Sequence, residues 1–215
     1  MSNILIIGAN GGIGRQAVEL ALAAGHHVTA VLRQPANLPL THPLLQKVQG
    51  DVMHPGTFEQ SMAHHDAVIS ALGVKGGMFG DKPTTLYSQG NANLITLMQQ
   101  HHIRRAYFIS ASALDISPVM PLFARFAAKY ILQKLLRHMY ADQREMERLV
   151  KDSGLDWTII RPPRLTDKPA TGSYRFSINS FLKNCLSISR ADVAHFMVNN
   201  IDNKAIYQAT IEIGY

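Results

Sequence analysis

The sequence predicts an α/β protein in which one doubly wound parallel sheet is covered by helices on both faces. Short apolar runs of strand length alternate with longer stretches of helical periodicity, which is the pattern of consecutive βα units. The chain has 215 residues, of which 47% are hydrophobic, so it can bury a full core. No Pro/Gly/Ser-rich linker, low-complexity tract or internal repeat divides it. We therefore expect residues 1–215 to form a single domain.

Apolar runs and helical periodicity place the elements of this fold in order. The first run, Ile4-Leu5-Ile6-Ile7, is continuous and rich in β-branched residues, as expected for a strand buried on both faces. The predicted strands cover residues 4–7, 28–32, 45–48, 67–70, 106–110 and 157–160. The predicted helices cover residues 15–24, 57–63, 84–101, 121–151, 190–200 and 207–213.

A glycine-rich turn follows the first strand directly and opens the first helix. Its sequence is Gly8-Ala9-Asn10-Gly11-Gly12-Ile13-Gly14. Gly8 can make a tight turn, Gly11 lets the backbone close on a phosphate, and Gly14 lets the helix pack on the sheet. The N–H groups at the start of the helix then face the anion. The turn therefore predicts a Rossmann-type fold that binds the pyrophosphate of a dinucleotide.

The end of the second predicted strand indicates which dinucleotide is bound. A site for NAD usually places Asp or Glu there, against the ribose 2′-hydroxyl. This chain has Arg33 instead, and no carboxylate follows as far as Gly50. A guanidinium can hold a 2′-phosphate through two charge-assisted hydrogen bonds, which a carboxylate would repel. The sequence therefore predicts NADP(H), with Arg15 either a second phosphate contact or an ordinary surface residue.

Composition excludes several other classes of protein. Cys185 is the single cysteine, so no disulfide framework is expected, and Met1-Ser2-Asn3 carries no charged leader. No apolar run is long enough to span a membrane. The net charge of +6 would suit nucleic acid, but no nucleic-acid module is recognisable, and a cofactor bearing several phosphates explains part of the excess. We expect a cytoplasmic protein that does not insert stably into a membrane and does not bind nucleic acid.

Residues just after each strand are the other candidates, because ligands of such sheets bind beyond the carboxyl ends of the strands. Asp51 could accept a hydrogen bond from the adenine amino group, with Val52 packed on the ring. The loop at residues 75–80 has the composition of a lid or an ordinary surface loop. Ser112 is the candidate polar contact where nicotinamide and substrate meet, Pro163 is a further cofactor contact, and Arg164 is a candidate catalytic residue at the rim.

A set of short motifs spread over nearly the whole chain points to a known family. These motifs are Gly8-Ala9-Asn10-Gly11, Arg33, Gly50-Asp51-Val52, Asp66-Ala67-Val68-Ile69, Leu72-Gly73, Pro83-Thr84-Thr85, Gly90-x-x-Asn93, Ser153-Gly154-Leu155, Pro162-Pro163, Thr171-Gly172-Ser173-Tyr174 and Ile188-Ser189-Arg190-Ala191-Asp192-Val193. Through them the chain resembles the atypical, NmrA-like short-chain dehydrogenases that bind NAD(P)H, and among them the flavin reductase or biliverdin IX-beta reductase group. The resemblance implies that flavins or linear tetrapyrroles are reduced over the nicotinamide of NADPH. By the same likeness, the cofactor contacts are Gly8, Asn10, Gly11, Arg33, Asp51, Val52, Leu72, Gly73 and Ser112, to which the turn itself adds Gly12, Ile13 and Gly14.

The chain departs from this family at two positions. Arg164 replaces the histidine that follows the Pro-Pro pair, so a fixed cation stands where the relatives have an imidazole. Gln143 stands where many relatives carry the active-site lysine, counted back from Ser153. Tyr130 and Lys134 have the Tyr-x-x-x-Lys spacing of ordinary short-chain dehydrogenases, but they precede the matched helix, and we interpret them as a non-catalytic pair.

Two further features have simpler interpretations than a special site. The stretch of residues 123–139 repeats apolar and basic side chains at helical spacing, which indicates a helix with a buried face, or alternatively a homodimer or membrane-surface contact. The histidine pairs, such as His64-His65, are adjacent and have no Cys or Glu cluster nearby, so we assign no metal.

The sequence thus predicts an NADPH-dependent reductase that delivers hydride to a small planar acceptor such as a flavin, quinone or tetrapyrrole. Such an acceptor takes up the charge itself, so the protein contributes mainly alignment. Two alternatives remain. One is a regulatory protein that senses NADP(H) without chemistry, and the other is an isomerase or carbonyl reductase that uses Tyr130 and Lys134.

Overall fold

The structure is a computed structural model that describes residues 1–74, 83–116, 125–126, 130–131 and 133–215. An eight-stranded sheet crosses the molecule, with strand order β3-β2-β1-β4-β5-β6-β10-β8. Its strands are β1 Asn3–Ile7, β2 His27–Leu32, β3 Leu45–Gln49, β4 Ala67–Ser70, β5 Arg105–Ile109, β6 Asp156–Arg161, β8 Arg175–Ile178 and β10 Ala209–Gly214. All neighbouring strands run parallel except β10 and β8, which are antiparallel. The order reverses between β1 and β4, where ligands bind in sheets of this kind.

Helices cover both faces of the sheet. They are α1 Gly12–Ala23, α2 Ser88–Gln100, the short α3 Gln133–Leu135, α4 Arg137–Asp152 and α5 Arg190–Asn199. The core on one face contains buried residues of α1 and α5, and the core on the other face contains those of α2 and α4. The predicted doubly wound α/β fold is therefore confirmed, and its central strands are buried on both faces, as a parallel sheet requires.

A small second sheet joins β7 (Arg164–Thr166) and β9 (Ser187–Ser189) in parallel. Neither strand was predicted, and β8 was not predicted either. Each is only three or four residues long, too short to show a clear alternating pattern, and β7 and β8 are also largely exposed.

Two predicted helices are wrong. Residues 57–63 form parts of two 3₁₀ turns, Pro55–Thr57 and Glu59–Ser61, which Phe58 separates with a φ of −138°. Residues 207–213 lie largely in β10, because Ile211 and Ile213 are buried between β6 and β8. A short apolar run does not by itself distinguish a buried strand from a helix.

The long predicted helix over residues 121–151 is also corrected. Leu136 has non-helical backbone angles (φ −104°, ψ 19°) and separates α3 from α4. Residues 117–124, 127–129 and 132 lie outside the described residues, and with them lies part of the apolar and basic stretch at 123–139.

Candidate functional site

The glycine-rich turn packs backbone against backbone. Gly8 has a φ of +74°, and a Cβ there would lie 2.4 Å from the carbonyl oxygen of Ala71. A Cβ on Gly14 would lie 2.2 Å from the carbonyl oxygen of Gly8. The N–H of Gly11 donates to that same oxygen at 2.8 Å. These contacts hold the end of β1 against the loop after β4 and leave no room for side chains.

The first turn of α1 presents unprotected backbone N–H groups. Gly11 is its N-cap and offers no side-chain acceptor, and no acidic residue lies in the first turn. Asn10, Gly11 and Gly12 are exposed, whereas the side chain of Ile13 is buried in the core. An anion placed here would therefore meet N–H groups and the positive end of the helix.

Arg33 follows β2 and is exposed, and it makes no ion pair with any residue that the structure describes. Arg15, by contrast, is paired with Glu19 through a 2.9 Å contact between Nε and Oε1. Asp51 is partly committed to its own turn, because its Oδ1 accepts from the N–H of Met53 at 3.0 Å. Of these groups, Arg33 is the more available cation for a phosphate.

Val52 and Leu72 are brought together by α2. Both side chains lie close to Gly90, where a Cβ would be 3.0 Å from Val52 Cγ2 and 3.3 Å from Leu72 Cδ1. Asn93, one turn later in α2, donates through Nδ2 to the carbonyl oxygen of Val52 at 2.8 Å. The Gly90-x-x-Asn93 spacing thus fixes the turn after β3. A Cβ added to Gly73 would meet none of the described residues within 4 Å.

The ends of β5 and β6 meet at Ser112 and the Pro-Pro pair. The N–H of Ser112 donates to the carbonyl oxygen of Pro162 at 3.0 Å, and Ser112 begins a 3₁₀ turn that ends at Leu114. Pro163 lies behind it against Gly214, with 3.5 Å between its Cγ and the position of a Gly214 Cβ. Arg164 is exposed and begins β7 opposite Ser187. The structure thus brings Ser112 close to Pro162, with Pro163 and Arg164 next in sequence.

A buried ion pair lies next to Ser110. Arg161 donates to both oxygens of Glu147, at 2.8 Å from Nε to Oε1 and at 2.6 Å from Nη2 to Oε2. Its Nη1 reaches Asp115 at 2.6 Å, and the hydroxyl of Ser110 donates to Glu147 Oε1 at 2.6 Å. Only 3% of Glu147 is exposed. The bidentate pair connects the carboxyl ends of β5 and β6 to α4.

The same network sets the protonation state of Glu147. Burial opposes the charged form, but the hydrogen bonds from Arg161 and Ser110 and the nearby charges outweigh it, so the pKa lies below its usual value of 4.5. Burial also raises the pKa of Tyr140, one turn before Gln143, to about 12. Gln143 itself is 4% exposed, and its Oε1 finds no hydrogen-bond partner among the described residues.

Residues 8–204 match the family described as NAD(P)H-binding. The chain belongs to this family. It is 28% identical over 207 residues to a Bacillus subtilis protein named uncharacterized sugar epimerase YhfK, and the match covers 94% of this chain and 88% of that one.

Solved structures share the fold of this NAD(P)H-binding protein. A short-chain dehydrogenase/reductase from Veillonella parvula in complex with NADP has a TM-score of 0.82 at 20% identity, covering 100% of this chain and 94% of that chain. ChuY, an anaerobillin reductase from Escherichia coli O157:H7, has a TM-score of 0.80 at 20% identity, covering 99% and 97%.

Several residues that build the site were missed by sequence reasoning. Glu147 and Arg161 are one example, and Asp142, which accepts from the N–H groups of Tyr87 and Ser88 at 2.9 and 3.0 Å and so caps α2 from a distance, is another. Their signal was weak, because Asp142 and Glu147 lie on an amphipathic helix and Arg161 ends a strand, positions at which a charged residue is normally solvated. Buried charges need partners, and those partners are distant in sequence.

Asp192 explains the motif Ile188–Val193. It accepts hydrogen bonds from Thr171, Gly172, Ser189 and Tyr215. Burial opposes its charge, but these bonds outweigh it and lower its pKa below 3.8. Its role is to hold the start of α5.

Other parts of the described chain show no comparable arrangement. A cavity of about 370 Å³ opens where β1 and β2 begin, at the opposite edge of the sheet from the glycine-rich turn. Within the described ranges, no set of three or more His, Cys, Asp or Glu side chains is arranged to hold a metal ion, and no helix combines the length and hydropathy needed to cross a membrane. The predicted loop at residues 75–80 lies outside the described residues.

Proposed function

We propose that the protein is an NADPH-dependent reductase that transfers hydride to a planar, delocalised acceptor such as a flavin, a quinone or a linear tetrapyrrole. The observation that carries the proposal is the state of the polar groups around Ser110 and Ser112. Glu147 is a carboxylate paired with Arg161, and Tyr140 has a pKa of about 12. Neither has the pKa near the operating pH that an efficient general acid needs.

A delocalised acceptor suits such a site. When bound, the reduced nicotinamide supplies a hydride, and the acceptor takes its proton from water. The protein then has to align two planar rings rather than protonate an oxygen. Ser112 and Pro163 would line the nicotinamide end of the cleft, and Arg164 would lie at its rim.

The opposite end of the cleft would hold the rest of the cofactor. The backbone N–H groups of Gly12 and Ile13, at the start of α1, would bind the pyrophosphate, and Arg33 would bind the ribose 2′-phosphate. Val52 and Leu72, held together by α2, would pack on the adenine. This assignment is supported by the uncapped start of α1 and by the lack of an ion pair at Arg33 among the described residues.

The test is NADPH oxidation with a matched panel of acceptors. FMN, riboflavin, a quinone and biliverdin should be reduced, and aliphatic and aromatic aldehydes should not. Tyr130→Phe should leave flavin reduction within a few-fold of the parent, since loss of a general acid costs about 10²- to 10⁴-fold. Aldehyde reduction that collapses in Tyr130→Phe would instead favour a carbonyl reductase that uses Tyr130 and Lys134.

A second candidate function is NADP(H) sensing without chemistry. The observation that favours it is Gln143, a buried amide at the position where many relatives carry the active-site lysine. A sensor predicts tight binding of NADPH with no oxidation by any acceptor of the panel. Measuring the Kd for NADPH alongside turnover separates the two functions.

A further inference from the structure

Arg190 lies beside the glycine-rich turn. It is the first residue of α5, and Gly12 is the first residue of α1. A Cβ added to Gly12 would lie 2.3 Å from Cδ and 2.8 Å from Nε of Arg190. The two helix starts therefore meet, and the arginine stem crosses the space that a side chain at residue 12 would fill. A side chain at residue 12 would therefore require Arg190 to move.

The guanidinium of Arg190 is only lightly held. Its Nη1 donates to Asp167 Oδ1 at 2.6 Å. Among the described residues, this is the single hydrogen bond of the guanidinium. The Asp167 side chain is 88% exposed and that of Arg190 is 31% exposed. Exposed ion pairs contribute little to stability and exchange easily. The other N–H groups of the fork remain available to a ligand.

The surroundings of Arg190 favour an anion. The start of α1 has no side-chain cap and no acidic residue in its first turn, whereas the start of α5 is capped by the hydroxyl of Ser189 and carries Asp192 in its first turn. Unsatisfied N–H groups and a nearby guanidinium thus face the same space. A phosphate there would receive backbone hydrogen bonds from one side and a forked pair from the other.

We propose that Arg190 binds the pyrophosphate of the dinucleotide and clamps it against the first turn of α1, exchanging Asp167 for phosphate oxygens. The proposal concerns the cofactor that this family binds and does not depend on which acceptor is reduced. It assigns different phosphates to two arginines. Arg33 reads the 2′-phosphate, which only NADP(H) has, and Arg190 holds the pyrophosphate, which NADH and NADPH share.

Calorimetric titration with three ligands separates these roles. NADPH and NADH contain the pyrophosphate, and adenosine 2′-monophosphate lacks it. In Arg190→Gln, the Kd for both dinucleotides should rise about 10- to 100-fold, the range for a lost charge-assisted hydrogen bond, and the Kd for adenosine 2′-monophosphate should stay within about 3-fold. Arg148→Gln is the matched control, because it removes an exposed, ion-paired arginine from α4 on the other face of the sheet and should leave all three Kd values unchanged.

Asp167→Asn provides an independent variant that keeps Arg190. Because the competing carboxylate is removed, the Kd for both dinucleotides should fall by a few-fold. The Kd for adenosine 2′-monophosphate should not change. Parent-like Kd values for NADPH and NADH in Arg190→Gln, or an equal loss for all three ligands, would overturn the proposal. If Arg190→Gln does not fold, Asp167→Asn decides, since unchanged dinucleotide Kd values there would assign the pair a purely structural role.

Discussion

At the glycine-rich turn the backbone packs against itself, whereas at the ends of β5 and β6 a buried ion pair fills the space between the sheet and α4. Gly8 and Gly14 leave no volume for a side chain. Glu147 and Arg161, in contrast, depend on charge balance in a largely buried region. The first end is held by sterics and the second by electrostatics.

Because of this difference, the glycine-rich turn and the ends of β5 and β6 should respond differently to mutation, pH and salt. Steric contacts are insensitive to pH and salt but do not tolerate one added methyl group. Both members of a buried ion pair can often be replaced by apolar residues of similar volume. Removing only one charge, however, leaves the other unpaired in a low-dielectric region. The following predictions break or sharpen this contrast, from the largest expected effect to the smallest.

Glu147→Gln should have the largest effect. It keeps the volume of the side chain but leaves Arg161 buried with only Asp115 as a carboxylate partner, which should lower the free energy of unfolding by about 3 to 5 kcal/mol. Chemical denaturation measures this. The matched control is Glu145→Gln, which breaks an exposed ion pair on the same helix and should cause no measurable loss. Equal stability of the two variants would mean that the buried pair is not needed.

The same pair predicts a pH dependence. Because the pKa of Glu147 is lowered in the folded protein, the pair contributes stability above the usual value of 4.5, and that stability is lost as the pH falls through the folded pKa. Stability measured from neutral to acidic pH should therefore fall less steeply in Glu147→Gln than in the parent. If the free energy of unfolding falls equally steeply with decreasing pH in both proteins, the pKa of Glu147 is not lowered by folding.

Gly8→Ala tests the steric end. The new Cβ would lie 2.4 Å from a backbone oxygen at a φ of +74°, so the turn has to shift. Overpacking of this kind should cost about 1 to 3 kcal/mol, together with weaker NADPH binding. Gly56→Ala is the control, because a Cβ there meets nothing within 4 Å, and it should fold as the parent does. Unlike Glu147→Gln, the loss in Gly8→Ala should not depend on acid pH.

Arg33→Ala tests the choice of dinucleotide at the adenosine end. It should weaken the binding of NADPH by about 1.5 to 3 kcal/mol and leave the binding of NADH almost unchanged, because the lost interaction is a charged hydrogen bond to the 2′-phosphate. Arg15→Ala, which removes an arginine paired with Glu19, is the control. Titration of both cofactors against both variants decides, and equal losses for NADPH and NADH would remove Arg33 from the 2′-phosphate site.

Arg164→His should have the smallest effect. If the cation faces the acceptor, the parent should prefer FMN over riboflavin, and this preference should shrink in the variant and at high ionic strength, because salt screens a partly exposed charge. We expect a change of a few-fold in the ratio of kcat/KM for the two flavins. A ratio that is the same in both proteins at low and high salt would make Arg164 a surface residue.

The sequence predicted the first strand, turn and helix of the fold well because their signals are local. The run Ile4–Ile7 and the glycines after it specify a strand, a turn and a helix within a few residues of one another. Where the pattern was ambiguous, prediction failed. The segment Ala209–Gly214 has an apolar run that fits either period, and its position between β6 and β8 makes it a strand.

The same distinction between local and long-range signals applies to the residues of the candidate site. The sequence by itself predicted the dinucleotide turn and a phosphate-binding cation at Arg33, because residue type and spacing carry that chemistry. Tertiary structure alone decided that Glu147 pairs with Arg161, that Asp142 caps α2, and that Arg190 crosses Gly12. These contacts join elements that are far apart in the chain, and only folding brings such groups within hydrogen-bond distance. A single sequence therefore contains their residues without showing their pairing.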